Sequence, residues 1–325
     1  MTIVLRRTAF GLGAAALAAP RIARAQAWPS KPVRVIVPYG AGNQGDLVAR
    51  LLCEELGSRL GQRLVVENVP GATGAIGIAQ LARAAPDGYT LAVVAIAALA
   101  IAPHVQRTGY DPLTDLSLLG GVSVSRDIFV VNAALGVRTM ADFLKLARSR
   151  PANDPLFYFS QGNGTIPHLS IEILRRALDS PATHVPYRTV PAGFTDLVAG
   201  RVQFALNSSA VALPHVQSGG MVALFAASPQ RLPALPDVPT LAEIAPGVEV
   251  PYAWMSLVAP RGLPPEIATR LARETHAIVS SPEFAARLPA GSEPYPLTAE
   301  EATRLLAADY ARFGTVVPEL NIQPS

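Results

Sequence analysis

Cysteine is all but missing from this chain: Cys53 is the only one in 325 residues, so no disulfide can close within it. Flanked by Leu52 and Leu56 on the apolar side of a helix, Cys53 is expected to be a buried small hydrophobe, not a nucleophile. The five histidines, His104, His168, His184, His215 and His276, show no metal-ligand spacing, and no metal or other cofactor is expected. A Gly-x-Ser-x-Gly elbow is lacking, which removes the commonest exported hydrolase. What remains of that alternative is Ser160-Gln161-Gly162, a hydroxyl at a strand-to-helix bend with His168 loosely placed beside it. Long basic runs and alternating aromatic and basic residues are absent too, so no nucleic-acid partner is expected. No apolar stretch is long enough to be read as a membrane span.

The first residues have a different pattern. Arg6-Arg7 precede an alanine-rich apolar stretch, Ala9 to Ala19, and then Ala23-Arg24-Ala25, a small-residue cleavage site. Residues 1–25 are expected to be an export leader removed near Ala25, with Arg6-Arg7-Thr8-Ala9-Phe10 a partial match to the twin-arginine route. Four arginines and no acids would leave with it, turning a net charge of +3 into −1. The alkaline pI of the precursor therefore carries no message about partners, and any attraction for an anion must be local.

Three times a short apolar strand runs into a glycine-rich loop that opens a helix. The segments are Val33–Val37 before Gly40 to Gly45, Leu64–Glu67 before Pro70 to Gly74, and Phe157–Ser160 before Gln161 to Thr165. A helix start offers unpaired N–H groups and about half a positive charge. Glycine lets an anion approach them. With no catalytic group evident, three such starts are expected to hold a small anion.

The alternation of strand and helix predicts α/β architecture with parallel sheets. Val33–Val37 is followed by a helix over Asp46–Leu60, with an apolar stripe of Leu47, Val48, Leu51, Leu52, Leu56 and Leu60. Gly74–Ala84 reads as a second helix and Thr90–Ala97 as a further strand. After Ile128–Asn132 the pattern restarts, and Trp254–Val258 reads as a strand returning to the first unit. The expected domains are 26–129 with 253–325, and 130–252 inserted between them, joined by a hinge of two crossing segments. Monomer is the plain expectation.

Seven short motifs in one order carry a resemblance. They are Trp28-Pro29-Ser30-Lys31-Pro32-Val33 through Tyr39, Val66-Glu67-Asn68-x-Pro70-Gly71-Ala72, Ala84-Ala85-Pro86-Asp87-Gly88-Tyr89-Thr90-Leu91, Gly162-Asn163-Gly164-Thr165-x-x-His168-Leu169, His184-Val185-Pro186-Tyr187-Arg188, Leu235-Pro236-Asp237-Val238-Pro239-Thr240 and Ala259-Pro260-Arg261-Gly262-Leu263-Pro264. Over essentially the whole mature chain this resembles the substrate-binding proteins of tripartite tricarboxylate transporters, the Bug family. The resemblance implies a two-lobed periplasmic binding protein, of the type II or Venus flytrap kind. It would close on a small carboxylate and deliver it to membrane transporter subunits; some members serve signalling instead. The departures are Ala41, Asn43, Gly45, Thr73 and Thr189, with Asn207 where an acid or other polar residue often faces the cleft.

The candidate binding residues follow from the loops and the resemblance together. Tyr39 is an aromatic wall with a phenolic hydroxyl. Gly42, Asn43 and Gln44 offer backbone and amide donors, and Asp46 is expected as an N-cap that holds the loop or meets an ammonium. Pro70, Gly71, Ala72 and Thr73 form the second helix start; Gln161, Asn163, Thr165 and His168 form the third. Arg188 offers a guanidinium fork, and Thr189 and Asn207 are expected to read the far end of the ligand.

Overall fold

The computed structural model describes residues 28–289 and 291–320; the expected leader and its cleavage site lie outside them. The chain begins with β1 (Val33–Val37), α1 (Gln44–Leu60) and β2 (Leu64–Asn68). A single 3-10 turn at Ala72–Gly74 leads into α2 (Ala75–Ala82), then β3 (Thr90–Ala95). A π-helical turn, Ala97–Ile101, runs on into α3 (Ala102–Val105), and β4 (Leu116–Ser125) follows.

The second half opens with β5 (Asp127–Asn132), α4 (Met140–Ser149), β6 (Leu156–Ser160), α5 (Ile166–Ala177) and β7 (Ala182–Pro186). Next come α6 (Val190–Val198), β8 (Phe204–Ser208), α7 (Ser209–Gln217), β9 (Met221–Ala227) and α8 (Leu241–Ile244). The chain ends with β10 (Trp254–Pro260), α9 (Pro265–Val279), α10 (Pro282–Arg287), β11 (Ser292–Pro294) and α11 (Ala299–Glu319).

These strands build two sheets. One has the order β11-β4-β10-β3-β1-β2 and the other β7-β6-β8-β5-β9. Both are mixed, where the alternation of elements predicted parallel sheets. β1 lies parallel to β2 and β3, but β10 runs antiparallel to β3. β5 likewise runs antiparallel to β8 and β9. The reason is the double crossing: β5 and β10 each begin where the chain enters a new lobe, at the edge where the other strands end. Ser125 N–H donates to the Ala253 carbonyl at 2.7 Å and ties the two crossings together.

Each sheet is covered on both faces. In the first, Ile36, Val94, Trp254 and Leu306 pack on one side, and Val35, Leu52, Leu257 and Leu271 on the other. In the second, Phe129, Phe143, Tyr158, Phe204 and Phe225 fill one face, and Ile128, Phe159, Phe194 and Leu197 the opposite one. The lobes also touch: Ile166 and Leu169 of α5 enter the first lobe's core.

Several local expectations are corrected. Leu47 is 46% exposed and lies outside the stripe that buries Val48, Leu51, Leu52, Leu56 and Leu60. The strand expected to reach Ala97 stops at Ala95, because the apolar run from Ala97 onward winds into the π-helical turn. Strand β4 was not anticipated, since Gly120-Gly121 interrupts it. A Cβ at Gly121 would collide with the Tyr295 carbonyl, so the glycine permits the chain's close approach there. Cys53 is 4% exposed, and burial pushes its thiol up to about 12, an inert state for a nucleophile.

Candidate functional site

The first glycine loop is held from within. Asn43, not Asp46, is the N-cap of α1: its side chain accepts from Asp46 N–H at 2.9 Å. Asp46 sits one turn in, 1% exposed. Its carboxylate accepts from Gly42 N–H (2.8 Å), Arg50 Nε (2.9 Å) and Asn68 Nδ2 (2.8 Å). Burial alone would raise this carboxyl, but Arg50, Gly42 and Asn68 outweigh it and hold it below its ordinary value. Asp46 therefore organises the loop, and the Gly42 N–H expected to face a ligand is spent on it.

Asn68 also donates to the Tyr39 carbonyl at 3.0 Å, which joins the first two loops. The Tyr39 hydroxyl accepts from Ala95 N–H at 2.5 Å, and burial pushes its pKa up. Its ring lies against Gly45, where an added Cβ would come within 2.8 Å of it. That contact leaves no room for a side chain at position 45 unless the Tyr39 ring moves.

Replacing Asp46 by alanine is expected to cost about 1.5–3 kcal/mol, the scale of losing charge-assisted hydrogen bonds and orphaning a donor. The contribution is present above the ordinary carboxyl pKa and is lost as pH falls through the lowered folded value. Urea denaturation of both proteins at neutral and acid pH measures it.

The second loop is backbone-strained. Gly71 (φ 126°), Ala72 (φ 50°), Thr73 (φ 54°) and Gly74 (φ 92°) follow one another in the left-handed half of conformational space, with Pro70 exposed just before them. Ala72 and Thr73 have no glycine freedom, and each such residue costs on the order of 1–2 kcal/mol. The Ala72 carbonyl is anchored by Gln106 Nε2 at 2.7 Å, just beyond α3.

The third loop stands on a polar stack. Thr165 Oγ1 donates to the Gly162 carbonyl at 2.8 Å, and Gly164 N–H donates to His168 Nδ1 at 3.1 Å. His168 stacks on His184 at 4.0 Å, and His184 Nε2 lies 2.7 Å from Ser160 Oγ. Below them Tyr158 donates to Glu172 at 2.6 Å, and Glu172 pairs with Arg175. Burial lowers both histidines, and His168 adds to the effect on His184, which falls to about 4.

The hydroxyl of Ser160 thus meets His184, not His168 as the sequence led us to expect. Ser160 is wholly buried and its hydroxyl also lies 3.0 Å from the Gly162 carbonyl, so the pair props the loop. Gln161 is exposed and Asn163 half-buried at the tip. Arg188 and Thr189 are exposed at the start of α6, and Thr189 makes no side-chain cap.

The loops of the two lobes meet. A Cβ on Gly164 would lie 3.2 Å from Val105, the neighbour of the Gln106 that holds Ala72. On the other side, Gln44 Nε2 donates to Ser292 Oγ at 2.8 Å. A Cβ on the adjoining Gly291 would lie 2.5 Å from Ala210 Cβ and 2.9 Å from Ser208 Oγ. Beside Ser208, Asn207 is 3% exposed; its Oδ1 accepts from Ser208 N–H while its Nδ2 has no partner among the described residues. The third loop thus meets the first lobe beside the second loop, and Ser208, next to Asn207, meets it at Gly291, next to the Ser292 that holds Gln44. Surface hollows of about 680 Å³ beside α1 and about 470 Å³ beside α4 are lined by none of these residues.

Sequence reasoning missed Asp127, the first residue of β5 and 6% exposed. It also missed the part of His184 in supporting the third loop.

Two mixed sheets, a double crossing and helix-opening loops define the two-lobed fold of the solute-binding proteins, shared with a periplasmic transporter and with the periplasmic binding protein BugD. The chain belongs to the tripartite tricarboxylate transporter receptor family, TctC, whose model matches residues 48–322. It is 30% identical to a UPF0065 protein of Bordetella bronchiseptica over 93% of this chain and 89% of that one. Among solved structures, an R. palustris protein with adipate superposes with a TM-score of 0.80 at 31% identity, covering 92% of this chain and 100% of that one. MatC from Rhodopseudomonas palustris, with bound malate, gives 0.76 at 28% identity, over 89% and 100%.

Proposed function

We propose that this chain is a periplasmic receptor that takes a small organic carboxylate between its lobes and delivers it to a tripartite membrane transporter. The lobes proposed to close are the expected 26–129 with 253–325, and 130–252, with β5 already joining the second sheet from Asp127. The observation that carries the reading is the convergence of the strained Gly71–Gly74 turn and the Gly162–Thr165 loop, from different lobes, on Val105-Gln106. Both are helix starts, where backbone N–H groups and the helix field favour an anion. The adipate and malate bound by two relatives are of the same chemical class, and the expected leader supports export.

The site residues proposed to touch the ligand are those of these two loops with Gln161 beside the second of them, Arg188 as a guanidinium fork, and Thr189 and Asn207 at the far end. Asp46 and His168 hold loops from behind. Charge-assisted hydrogen bonds contribute about 1.5–3 kcal/mol each, so three or four, less ordering and desolvation, give a Kd on the order of micromolar.

A ligand at about one hundred times its Kd adds roughly 2.7 kcal/mol of stability. A thermal-shift panel of dicarboxylates, amino acids and aromatic acids is therefore expected to contain at least one compound that raises the Tm by several degrees. A flat response across every anion rejects the reading.

A further inference from the structure

Asp127 is an acid with no visible reason to be where it is. It occupies the last rung of the second sheet, on the loop edge, opposite Ser208 of β8 and Ala227 of β9. At 6% exposure it has neither a hydrogen bond nor an ion pair among the described residues. Its neighbour Arg126 is committed elsewhere, to Glu293 at 2.9 Å. Beside it, Ser208 Oγ is buried without a partner, and so is Asn207 Nδ2 on the other face of the same strand end. Two buried groups without a partner among the described residues, Ser208 Oγ and Asn207 Nδ2, flank this acid, and such groups in native proteins are satisfied by a bound group or by water.

The place is defined from the other lobe as well. Ser208 lies against Gly291, and Ser292 pairs with Ser125 and receives the Gln44 amide. Asp127 therefore belongs to the hinge wall of the inter-lobe junction, away from the Gly71–Gly74 and Gly162–Thr165 helix starts. Those helix starts suit a carboxylate. An ionised carboxyl can only accept hydrogen bonds, and it repels a second carboxylate.

Resting on the receptor reading above, we propose that Asp127 selects a cargo that is anionic at one end and carries an ammonium at the other: an amino acid in preference to a plain dicarboxylate. Burial raises the Asp127 carboxyl to about 7 in the absence of such a partner. The arriving ammonium would restore its charge and leave Ser208 Oγ, on the same face, to bind an adjoining polar atom.

The test uses matched pairs that differ only by an amino group, glutarate with glutamate and adipate with 2-aminoadipate, in calorimetric titration of the mature protein. For the pair that binds, the amino member is expected to be at least ten-fold tighter in wild type. In Asp127→Asn the ratio is expected to fall to within about two-fold. A wild-type ratio near one, or a preference that survives Asp127→Asn, overturns the inference and leaves the receptor reading standing. The wild-type ratio decides by itself if the variant misfolds. Absence of binding by any anion in the wider panel overturns the receptor reading and this inference with it.

Discussion

Truncating Phe129 to alanine is expected to remove about 3–5 kcal/mol from the second lobe, the usual cost of deleting a fully buried aromatic ring. Phe129 is 1% exposed at the centre of the β5 strand. Its ring centroid lies 5.2 Å from Phe143, 5.3 Å from Phe204 and 5.1 Å from Phe225, in edge and stacked arrangements. Removing it leaves three rings facing a void that the stiff central strands cannot close. The two tryptophans make the effect assignable, because Trp28 and Trp254 both pack in the first lobe. In urea, the far-UV signal of the variant is expected to fall at lower denaturant than its tryptophan fluorescence. In wild type the two transitions should lie closer together.

The elements that were legible in the sequence are those whose residue pattern has one structural solution. Val33–Val37 is four β-branched apolar residues around the single Arg34, ended by Pro38 and Gly40, and it forms β1 with those bounds. The Ala97–Ile101 turn was illegible because an apolar run buried on all sides reads alike as strand or helix. β4 was illegible because its glycines serve a neighbour: Gly121 is there for the Tyr295 carbonyl, a contact 174 residues away in the chain.

The candidate site divides in the same way. Loop positions were visible, since glycine and proline mark them locally. Roles were not, because Asp46 answers to Asn68 on the neighbouring strand as well as to Arg50 in its own helix, and His184 to Ser160 and His168 on other elements. Asp127 was the least visible. Alone at a strand start, an aspartate looks like a solvated turn residue, and only the register with Ser208 and Ala227 buries it.

That burial gives the second large effect. The Asp127 carboxyl is raised by desolvation to about 7 in the folded chain, against about 3.9 when unfolded. Between these values the folded state binds more protons than the unfolded one, so stability is full below about pH 4 and declines as pH rises through 7. The gap corresponds to a ceiling of roughly 4 kcal/mol. Asparagine keeps the shape and cannot ionise. Asp127→Asn is therefore expected to match wild type near pH 4.5 and to exceed it by a few kcal/mol at pH 8. Other groups that folding shifts, among them His168, His184, Glu172 and Asp46, are common to both proteins and cancel in the difference. A difference that stays flat between pH 4.5 and 8 would mean that the carboxylate is already satisfied. The same pair of proteins then links stability to selection. At pH 8 a saturating amino-acid ligand is expected to stabilise wild type more than the variant, because only wild type has an unpaired buried charge for an ammonium to neutralise.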